Sequence, residues 1–322
     1  MTSTPSFSVV VRSHRRTGVL LELLERLLDQ DYPNYEVVVI EQTPDLGAEE
    51  RARLDALAAS ERSRLRIAYY PPLGAVRARN EGWKNARNDI VLFIDDDDLP
   101  LGREWVRQHA NNFADPLCMG VSGRHAFTPD EDPTQFDTDE YRRTVLRYTF
   151  FKMPRARNRL SQRVKGVEIL HGTNTSIRRD AIERAGGWDE DVTEFVDENS
   201  FDFRYAKIRK PGEYFLYDPL PTIWRRFDIQ GGTGRRWASI ERLLRLEFDY
   251  SHGLLRRYHP LRFYSMYPAY LVLGVTRAVD FVHTHHPEIP PAQLAIDVAR
   301  SLVPTLKHAW RPRPSGKSRV SP

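Results

Sequence analysis

The first hundred residues alternate between short runs of apolar, mostly β-branched residues and longer segments in which apolar residues recur at helical spacing. Each short run suits one buried strand, and each longer segment suits one amphipathic helix. Strands and helices that alternate in this way form βαβ units with parallel strands. The sequence therefore predicts an α/β fold with a mainly parallel sheet flanked by helices, whose first four strands are Phe7–Arg12, Tyr35–Ile40, Leu65–Tyr70 and Asp89–Ile94.

Polar residues stand at the ends of three of these four strands. Arg12–His14 end the first strand, Glu41–Thr43 follow the second, and Asp95–Asp98 follow the fourth. In open parallel sheets, ligands bind at the edge where the carboxyl ends of the strands lie together. We therefore expect the three groups to meet at one binding site.

Four consecutive aspartates, Asp95–Asp98, come directly after the fourth apolar run. Carboxylates this close raise one another's pKa unless a cation neutralises them. A hard cation such as Mn²⁺ or Mg²⁺ is typically held by one or two carboxylates together with substrate phosphates. A solvated acidic loop is the alternative. The strand delivers the aspartates to the ligand-binding edge of the sheet, which favours contact with a metal or a nucleotide.

The sequence pattern changes after residue 230. Gly231–Gly234 is typical of a flexible loop, whereas Arg235–Tyr258 and Leu261–Val282 have helical or apolar character. The longest uncharged stretch there, Phe263–Thr276, is shorter than the roughly 20 apolar residues that a membrane span needs. We expect one domain over residues 1–230, a helical extension over 231–310 and a disordered tail over 311–322.

Charge is unevenly distributed along the chain. The net charge is +4, but residues 235–322 contain 14 Lys and Arg against 6 Asp and Glu, a balance of +8. A basic segment suits anionic lipid headgroups or an anionic acceptor, and it suits solubility equally well. It contains no nucleic-acid-binding motif, so we expect no nucleic-acid partner.

Two further features concern the compartment. Cys118 is the single cysteine, which excludes an internal disulfide, and the short apolar run near the N-terminus is followed at once by arginines, unlike a signal peptide. We expect a cytoplasmic protein, either free or peripheral at the inner face of the membrane.

Several short motifs occur in an order that is more specific than any one of them. They are VVVRSHRR at 9–16, GAVRARNEG at 74–82, IDDDDLP at 94–100, GTNTSIRR at 172–179, GGWDE at 186–190, and the acidic pair Asp197-Glu198 before Arg204. Together they resemble family 2 glycosyltransferases over the first 225 or so residues. The resemblance implies the GT-A fold, which is Rossmann-like, and a nucleotide-sugar donor.

The resemblance also implies roles for residues on the donor side. Asp97 and Asp95 match the two acids of the family's DxD motif, so Asp97 would hold the metal and Asp95 would lie near both the metal and the ribose. Glu41 stands where the family commonly has an aspartate that reads the base. The remaining residues implied to bind the nucleotide-sugar are Arg12, Ser13, Arg79, Asn80 and Asp96, with Asp98 as a further supporting candidate.

On the acceptor side, the family's general base matches the pair Asp197-Glu198. The spacing to Arg204 favours Glu198, with Asp197 as the alternative. Trp188 resembles an aromatic residue that stacks on the acceptor sugar, although packing in the core is equally compatible with its position. Asp189 and His171 are the other candidates on this side, and both also have ordinary structural interpretations.

Two positions differ from the family pattern. Glu41-Gln42-Thr43 stands where an Asp-Asp or Asp-Gly pair is frequent. Trp224-Arg225-Arg226 stands where many members have a histidine that joins the metal shell. Arg225 or Arg226 would then neutralise the diphosphate directly, with water completing the metal shell. The other interpretation is weaker metal binding.

The sequence thus predicts an inverting, metal-assisted glycosyltransferase of the hexosyltransferase type, with a UDP-sugar as first choice of donor and a dTDP-sugar as second. The acceptor hydroxyl belongs to an unknown glycan, lipid-linked glycan or natural product. One alternative is a catalytically silent nucleotide-sugar-binding protein. Another is a metal-dependent nucleotidyltransferase, which would need a glycine- and lysine-rich phosphate loop, whereas the first loop, RSHRRTG, has no lysine.

Overall fold

The computed structural model describes residues 4–192, 197–226, 229 and 239–310, without the side chains of Asp197, Glu198 and His285. The chain divides into two compact units. The first comprises Met1–Trp188 and Phe201–Phe227, and the second comprises Asp189–Ser200 and Asp228–Pro322. The sequence-based limits of 1–230 and 231–310 stay a prediction, and the tail over 311–322 lies outside the described residues.

The first unit is built on a mixed sheet with a small two-stranded sheet beside it. The strands are β1 Phe7–Ser13, β2 Tyr35–Glu41, β3 Leu65–Tyr69, β4 Ile90–Asp95, β5 Asp98–Pro100, β6 Cys118–Ala126, β7 Val145–Tyr148, β8 Pro154–Ala156, β9 Val164–Val167, β10 Thr175–Arg178 and β11 Tyr214–Arg225. The order in the large sheet is β3-β2-β1-β4-β10-β6-β11-β5, with β9 beside β11, while β7 pairs with β8.

The directions of the strands divide the large sheet into two halves. Strands β3, β2, β1 and β4 pair in parallel, and so do β6 and β11. Strand β10 runs antiparallel to both β4 and β6, and β5 and β9 run antiparallel to β11. The predicted α/β fold is confirmed, with its antiparallel pairs in the second half of the sheet.

Helices flank this sheet, and the first three follow the predicted βα alternation. The helices up to the division between the units are α1 Thr17–Leu28, α2 Ala48–Ser60, α3 Ala75–Asn85, α4 Trp105–Asn111, α5 Asp139–Thr144, α6 Arg179–Ala185 and α7 Asp197–Ile208. The division falls within α7.

Both faces of β1, β2 and β4 are buried, which explains why these strands are mostly apolar. Val9 and Val11 of β1 belong to the core on one face, and Val10 belongs to the core on the other. Helix α3 packs very closely on this second face, because a Cβ built on Gly82 would lie 2.3 Å from a methyl carbon of Val10. Only glycine permits that approach.

Asn174 organises the loop that leads into β10. Its backbone has a positive φ of 53°, a conformation that asparagine tolerates better than most residues. The side-chain Oδ1 accepts hydrogen bonds from Trp105 Nε1 at 2.8 Å and His109 Nε2 at 3.0 Å. The side-chain Nδ2 donates to the carbonyl oxygens of Arg124 and Pro221. The buried amide of Asn174 therefore fixes the loop that leads into β10, the strand that lies between β4 and β6 in the sheet.

The second unit is helical. It contains α8 Ile240–Phe248, a π-helical stretch Asp249–Leu255, α9 Arg256–Tyr258, α10 Pro260–Ser265, α11 Tyr267–His285 and α12 Pro291–Ala309. Leu243 and Leu244 of α8, Val282 of α11 and Leu294 of α12 share its core. Among the described residues, no helix combines the length and apolar character needed to cross a bilayer. The helical C-terminal region is confirmed.

The buried His109 should make the stability of the fold depend on pH. Burial lowers the pKa of His109 to about 4 from an ordinary 6.5. Between these values the unfolded chain takes up a proton that the folded chain does not, so the free energy of unfolding falls as the pH falls. Each such histidine contributes about 1.4 kcal/mol per pH unit.

Urea unfolding of the His109→Gln variant at several pH values across this window measures the effect. The variant should be less stable at neutral pH. Its unfolding free energy should also depend less steeply on pH, by the contribution of about one proton. His308→Gln is the control, because an exposed imidazole meets solvent in both states. A His109→Gln variant that keeps the full wild-type slope would contradict the prediction.

Candidate active site

The register of the parallel strands brings the three predicted polar groups together. Arg12 of β1 lies beside Asp95 of β4, and Ser13 of β1 lies beside Glu41 of β2. The strands end at nearly the same level, so their last residues share one edge of the sheet. This is the edge at which parallel sheets bind ligands.

Three of the four aspartates form a group with the geometry of a cation site. One carboxylate oxygen each of Asp95, Asp97 and Asp98 lies within 4.8 Å of the other two. Asp95 ends β4, Asp97 lies in the turn and Asp98 begins β5. The sequence singled out Asp95 and Asp97 as ligands. Asp98, a supporting candidate in the sequence, lies in the same group, because the short turn after β4 brings its carboxylate to the same place.

Asp96 has a different environment from its neighbours. Its side chain is fully buried, and its Oδ1 lies 2.6 Å from Nη2 of Arg16. The same guanidinium donates from Nη1 to Oδ2 of Asp97 at 2.5 Å. Burial raises the pKa of Asp96 to about 7, and Arg16 opposes that rise. Arg16 was missed by the sequence analysis, although it lies in the RSHRR motif.

Arginines from distant parts of the chain surround Asp95. Arg12 Nη2 donates to Asp95 Oδ1 at 2.6 Å, and Arg225 is brought close by the pairing of β11 with β5, which sets it opposite Asp98. Burial by itself would raise the pKa of Asp95, but Arg12, Arg225 and Arg79 together hold it below its ordinary value. Asp95 is therefore an ionised carboxylate.

Thr173 links two of the three clustered aspartates. Its hydroxyl accepts a hydrogen bond from the backbone N–H of Asp95 at 3.0 Å and donates one to Oδ2 of Asp98 at 2.8 Å. Its side chain is almost completely buried. Thr173 lies in the GTNTSIRR motif, but its role could not be predicted, because a contact with residues 75 and more positions earlier leaves no local signal.

Several buried polar atoms at this edge have no hydrogen-bond partner among the described residues. They include Oδ1 of Asp98, Oε2 of Glu41 and Nδ1 of His171. Burial raises the pKa of Asp98, more than Arg225 lowers it. A buried carboxylate oxygen without a donor is costly unless a ligand satisfies it. Oxygen donors of this kind fit Mn²⁺ or Mg²⁺.

Glu41 and His171 lie in contrasting environments. Glu41 is 1 % exposed and its Oε1 accepts a hydrogen bond from the Thr43 N–H at 2.7 Å, which leaves Oε2 for another donor. Burial, and then the charge of Arg225, lower the pKa of His171 to about 3. Its ring packs edge-on against His125 with 4.3 Å between centroids. His171 is therefore a neutral imidazole.

The fold itself uses hydrogen bonds of two predicted donor-side residues. Arg79 is buried and donates from Nη2 to the carbonyl oxygen of Gly172 at 3.1 Å. Asn80 is also buried; its Nδ2 donates to the Trp188 carbonyl, and its Oδ1 accepts from the Trp188 N–H. Asn80 thus fastens the GGW turn to α3.

Two predicted acceptor-side residues are also engaged with protein groups. Trp188 is 5 % exposed and its indole stacks on Phe201 at a centroid distance of 4.9 Å. In the second unit, Asp189 accepts hydrogen bonds from Tyr258 Oη at 2.6 Å and pairs with Arg257 Nε at 3.0 Å. In this conformation little surface of either side chain is available to an acceptor.

The predicted general base lies in a part of the chain that is only partly described. The backbones of Asp197 and Glu198 begin α7. Their side chains lie outside the described residues, so the choice between them stays a prediction.

Comparison with known proteins assigns the chain to a family. A model of the family described as glycosyl transferase family 2 matches residues 8–186, more than half of the chain. The chain therefore belongs to the family 2 glycosyltransferases, a class that transfers sugars. EpsH of Bacillus subtilis (strain 168), which carries the name of a glycosyltransferase, is 29% identical over 100 residues. That match spans 30% of this chain and 27% of EpsH.

Solved structures share the fold. The mannosyltransferase PcManGT of Pyrobaculum calidifontis, in complex with GDP-Man and Mn²⁺, has a TM-score of 0.58 at 19% identity and covers 96% of this chain and 84% of its own. TarS 1-349 of S. aureus with UDP-GlcNAc has 0.53 at 15% identity, covering 78% and 66%. GalNAc-T7 with UDP, GalNAc and Mn²⁺ has 0.56 at 12%, covering 80% and 52%. The predicted GT-A fold is confirmed.

Replacing Thr173 should disturb the aspartate cluster. Suitable variants distinguish the effect of the Thr173 hydroxyl from the effect of the side-chain shape. Thr173→Val keeps the shape but leaves the Asp95 N–H and Asp98 Oδ2 without their partner. We expect it to lose about 1–3 kcal/mol of unfolding free energy and to bind Mn²⁺ about tenfold or more weakly. Mn²⁺ electron paramagnetic resonance and urea unfolding measure the two effects.

Thr173→Ser retains the hydroxyl and should resemble the wild type. Thr305→Val is the matched control, since Thr305 is equally buried and its hydroxyl has no partner among the described residues. Equal Mn²⁺ affinity in Thr173→Val and Thr173→Ser would show that the hydroxyl does not position the cluster.

Proposed function

We propose that this protein transfers a sugar from a nucleoside diphosphate donor to an acceptor hydroxyl with inversion of the anomeric centre. The observation that carries the proposal is the meeting of Asp95, Asp97 and Asp98 with Glu41 and several arginines at one edge of the sheet. Membership of family 2 supports the transfer of a sugar. The choice of donor, the stereochemical course and the residue roles are our proposal.

Glu41 is the residue proposed to read the base. Its buried Oε2 lacks a donor among the described residues and suits a ring N–H. Uracil, thymine and guanine carry a ring N–H, whereas cytosine and adenine do not. We propose a UDP-sugar as first donor and a dTDP-sugar as second. PcManGT was solved with GDP-Man and TarS 1-349 with UDP-GlcNAc, so the donors of both also carry a ring N–H.

The diphosphate is proposed to lie between the aspartate cluster and the arginines. Asp97 and Asp95 would hold Mn²⁺ or Mg²⁺, with Asp98 as third carboxylate, and Asp96 would keep Arg16 in place. Bound there, the cation would stabilise the negative charge that develops on the leaving diphosphate. Arg12, Ser13 and Arg225 would orient the same group, while Arg79 and Asn80 would shape the pocket. Mn²⁺ is present in the structures of PcManGT and GalNAc-T7.

The acceptor hydroxyl needs a base, because it is a poor nucleophile at neutral pH. Glu198 is our first choice and Asp197 our second. His171, Trp188 and Asp189 stay proposed for the acceptor side, where the last two would act by shaping the site through their contacts with protein groups. The acceptor is a glycan, a lipid-linked glycan or a natural product, and a cytoplasmic location, free or at the inner face of the membrane, completes the proposal.

A binding screen tests the donor and the metal together. Thermal shifts are measured with UDP, dTDP, GDP, CDP and ADP, each with Mn²⁺ and with EDTA. A ligand at a hundred times its dissociation constant stabilises the fold by about 2.7 kcal/mol. We expect UDP with Mn²⁺ to give the largest shift, CDP a smaller one, and EDTA to reduce both.

Asp97→Asn should remove the Mn²⁺-dependent part of the UDP shift, whereas Asp130→Asn, on an exposed loop, should behave as the wild type. No response to any of the five nucleotides would refute donor binding as proposed. A UDP shift without any release of UDP from UDP-sugars would favour the silent binding protein instead.

The general base can be tested without knowing the acceptor. The test measures the slow hydrolysis of a UDP-sugar, in which water takes the place of the acceptor hydroxyl and UDP is released. Glu198→Gln should lower this release by about 10²–10⁴-fold and leave the UDP thermal shift unchanged. Asp197→Asn is the paired variant and should retain most of the activity. If Asp197→Asn is the inactive one, the roles are reversed, and if both retain full release, neither carboxylate is the base.

A further inference from the structure

The outward side of helix α12 carries an unusual pattern. Ile296, Arg300, Val303, Lys307 and Trp310 follow one another at spacings of four, three, four and three residues, which places them on one side of a helix. All five are exposed, and the apolar ones expose 46%, 56% and 41% of their surface. We call these five residues the outer face of α12. Apolar and basic side chains alternate along it.

The core of the second unit does not need this face. Helix α12 packs through its other side, where Leu294, Val298, Leu302 and Ala309 join the core with α8 and α11. Arg300 and Lys307 form no ion pair with any residue in the described part of the chain. Their charges therefore face solvent, as do the apolar side chains between them.

Trp310, at the C-terminal end of the outer face of α12, also contacts neighbouring helices. Its Nε1 donates to Tyr267 Oη at 3.1 Å, and the indole packs against the buried Phe263 of α10. On α10, Leu261 and Tyr264 are 88% and 59% exposed. The helix that Trp310 contacts therefore carries exposed apolar side chains of its own.

Basic charge increases at the same end. The guanidinium of Arg256 lies 5.1 Å from the centroid of the Trp310 ring. The sequence that directly follows Trp310, residues 311–322, contains four Lys and Arg and no Asp or Glu. Cations and apolar side chains thus occur together at a face that the core leaves uncovered.

We propose that the outer face of α12 docks on the surface of a lipid bilayer that contains anionic lipids. Helices that lie in the plane of a bilayer combine apolar side chains that enter the interface with Lys and Arg that meet the headgroups, and tryptophan favours that interface. The alternation of charge and apolar surface fits this environment, because either alone would suit a protein partner or nucleic acid as well. The proposal does not depend on the proposed sugar donor.

Vesicle co-sedimentation of the full chain tests the proposal. Vesicles of phosphatidylcholine alone are compared with vesicles of equal parts phosphatidylcholine and phosphatidylglycerol, at low and high salt. The wild type should bind the anionic vesicles, bind the neutral ones at least tenfold more weakly, and lose most of its binding at high salt.

Two variants separate the contributions to binding. Arg300→Gln with Lys307→Gln should weaken binding to anionic vesicles by roughly thirtyfold, and Val303→Asp should weaken it by at least tenfold. The matched controls are Arg53→Gln with Arg62→Gln, and Leu220→Asp, which alter exposed residues of the first unit and should bind as the wild type. Circular dichroism and thermal unfolding without ligand verify that each variant is folded.

Each other outcome overturns the proposal. Binding to neither kind of vesicle, or equal loss in the variants and their controls, would show that the outer face of α12 does not bind lipid. A wild-type dimer that Val303→Asp dissociates, without vesicle binding, would assign the face to a second copy of the chain. Because no donor is added, failure here leaves the proposed sugar transfer untouched.

Discussion

The candidate site depends on how the charges of four adjacent aspartates are balanced. Asp95–Asp98 follow a strand that is buried on both faces, so they enter a region where an unpaired carboxylate is costly. Arginines from three parts of the chain lie near these aspartates and offset their charge. The register of β1 with β4 positions Arg12, that of β11 with β5 positions Arg225, and Arg16 comes from the loop after β1. The sheet topology is therefore also the means by which the site is neutralised.

The sequence could predict those parts of this arrangement that depend on a local pattern of residues. Apolar runs such as Phe7–Arg12 and Asp89–Ile94 give the parallel strands, and the carboxyl ends of those strands give the site. The antiparallel strands β5, β9 and β10 are three or four residues long, too short for a distinct period. Thr173 joins the site through the loop that leads into β10, so its contacts with Asp95 and Asp98 had no local signal, although the acidic run itself did.

Sequence also could not decide how a polar or aromatic side chain uses its contacts. The resemblance placed Asn80 beside the donor and made Trp188 and Asp189 candidates for the acceptor side, with ordinary structural roles for the last two left open. In the structure, the Asn80 amide forms hydrogen bonds with the backbone of Trp188, and the Trp188 indole packs on Phe201. Asp189 pairs with groups of its own unit. A motif records which residue is present, whereas the partner it satisfies depends on tertiary packing. Their effect on a ligand would then be indirect.

The charge balance has a consequence for how ligands bind. Burial raises the pKa of Asp96 to about 7 and also raises that of Asp98, in both cases against the charge of a nearby arginine. The arginines remain protonated, so carboxyl groups and guanidinium groups lie close together at the ligand-binding edge of the sheet. A bound cation would interact with the carboxylates, and a bound diphosphate would interact with the arginines. Because cation and diphosphate carry opposite charges, each should favour the binding of the other.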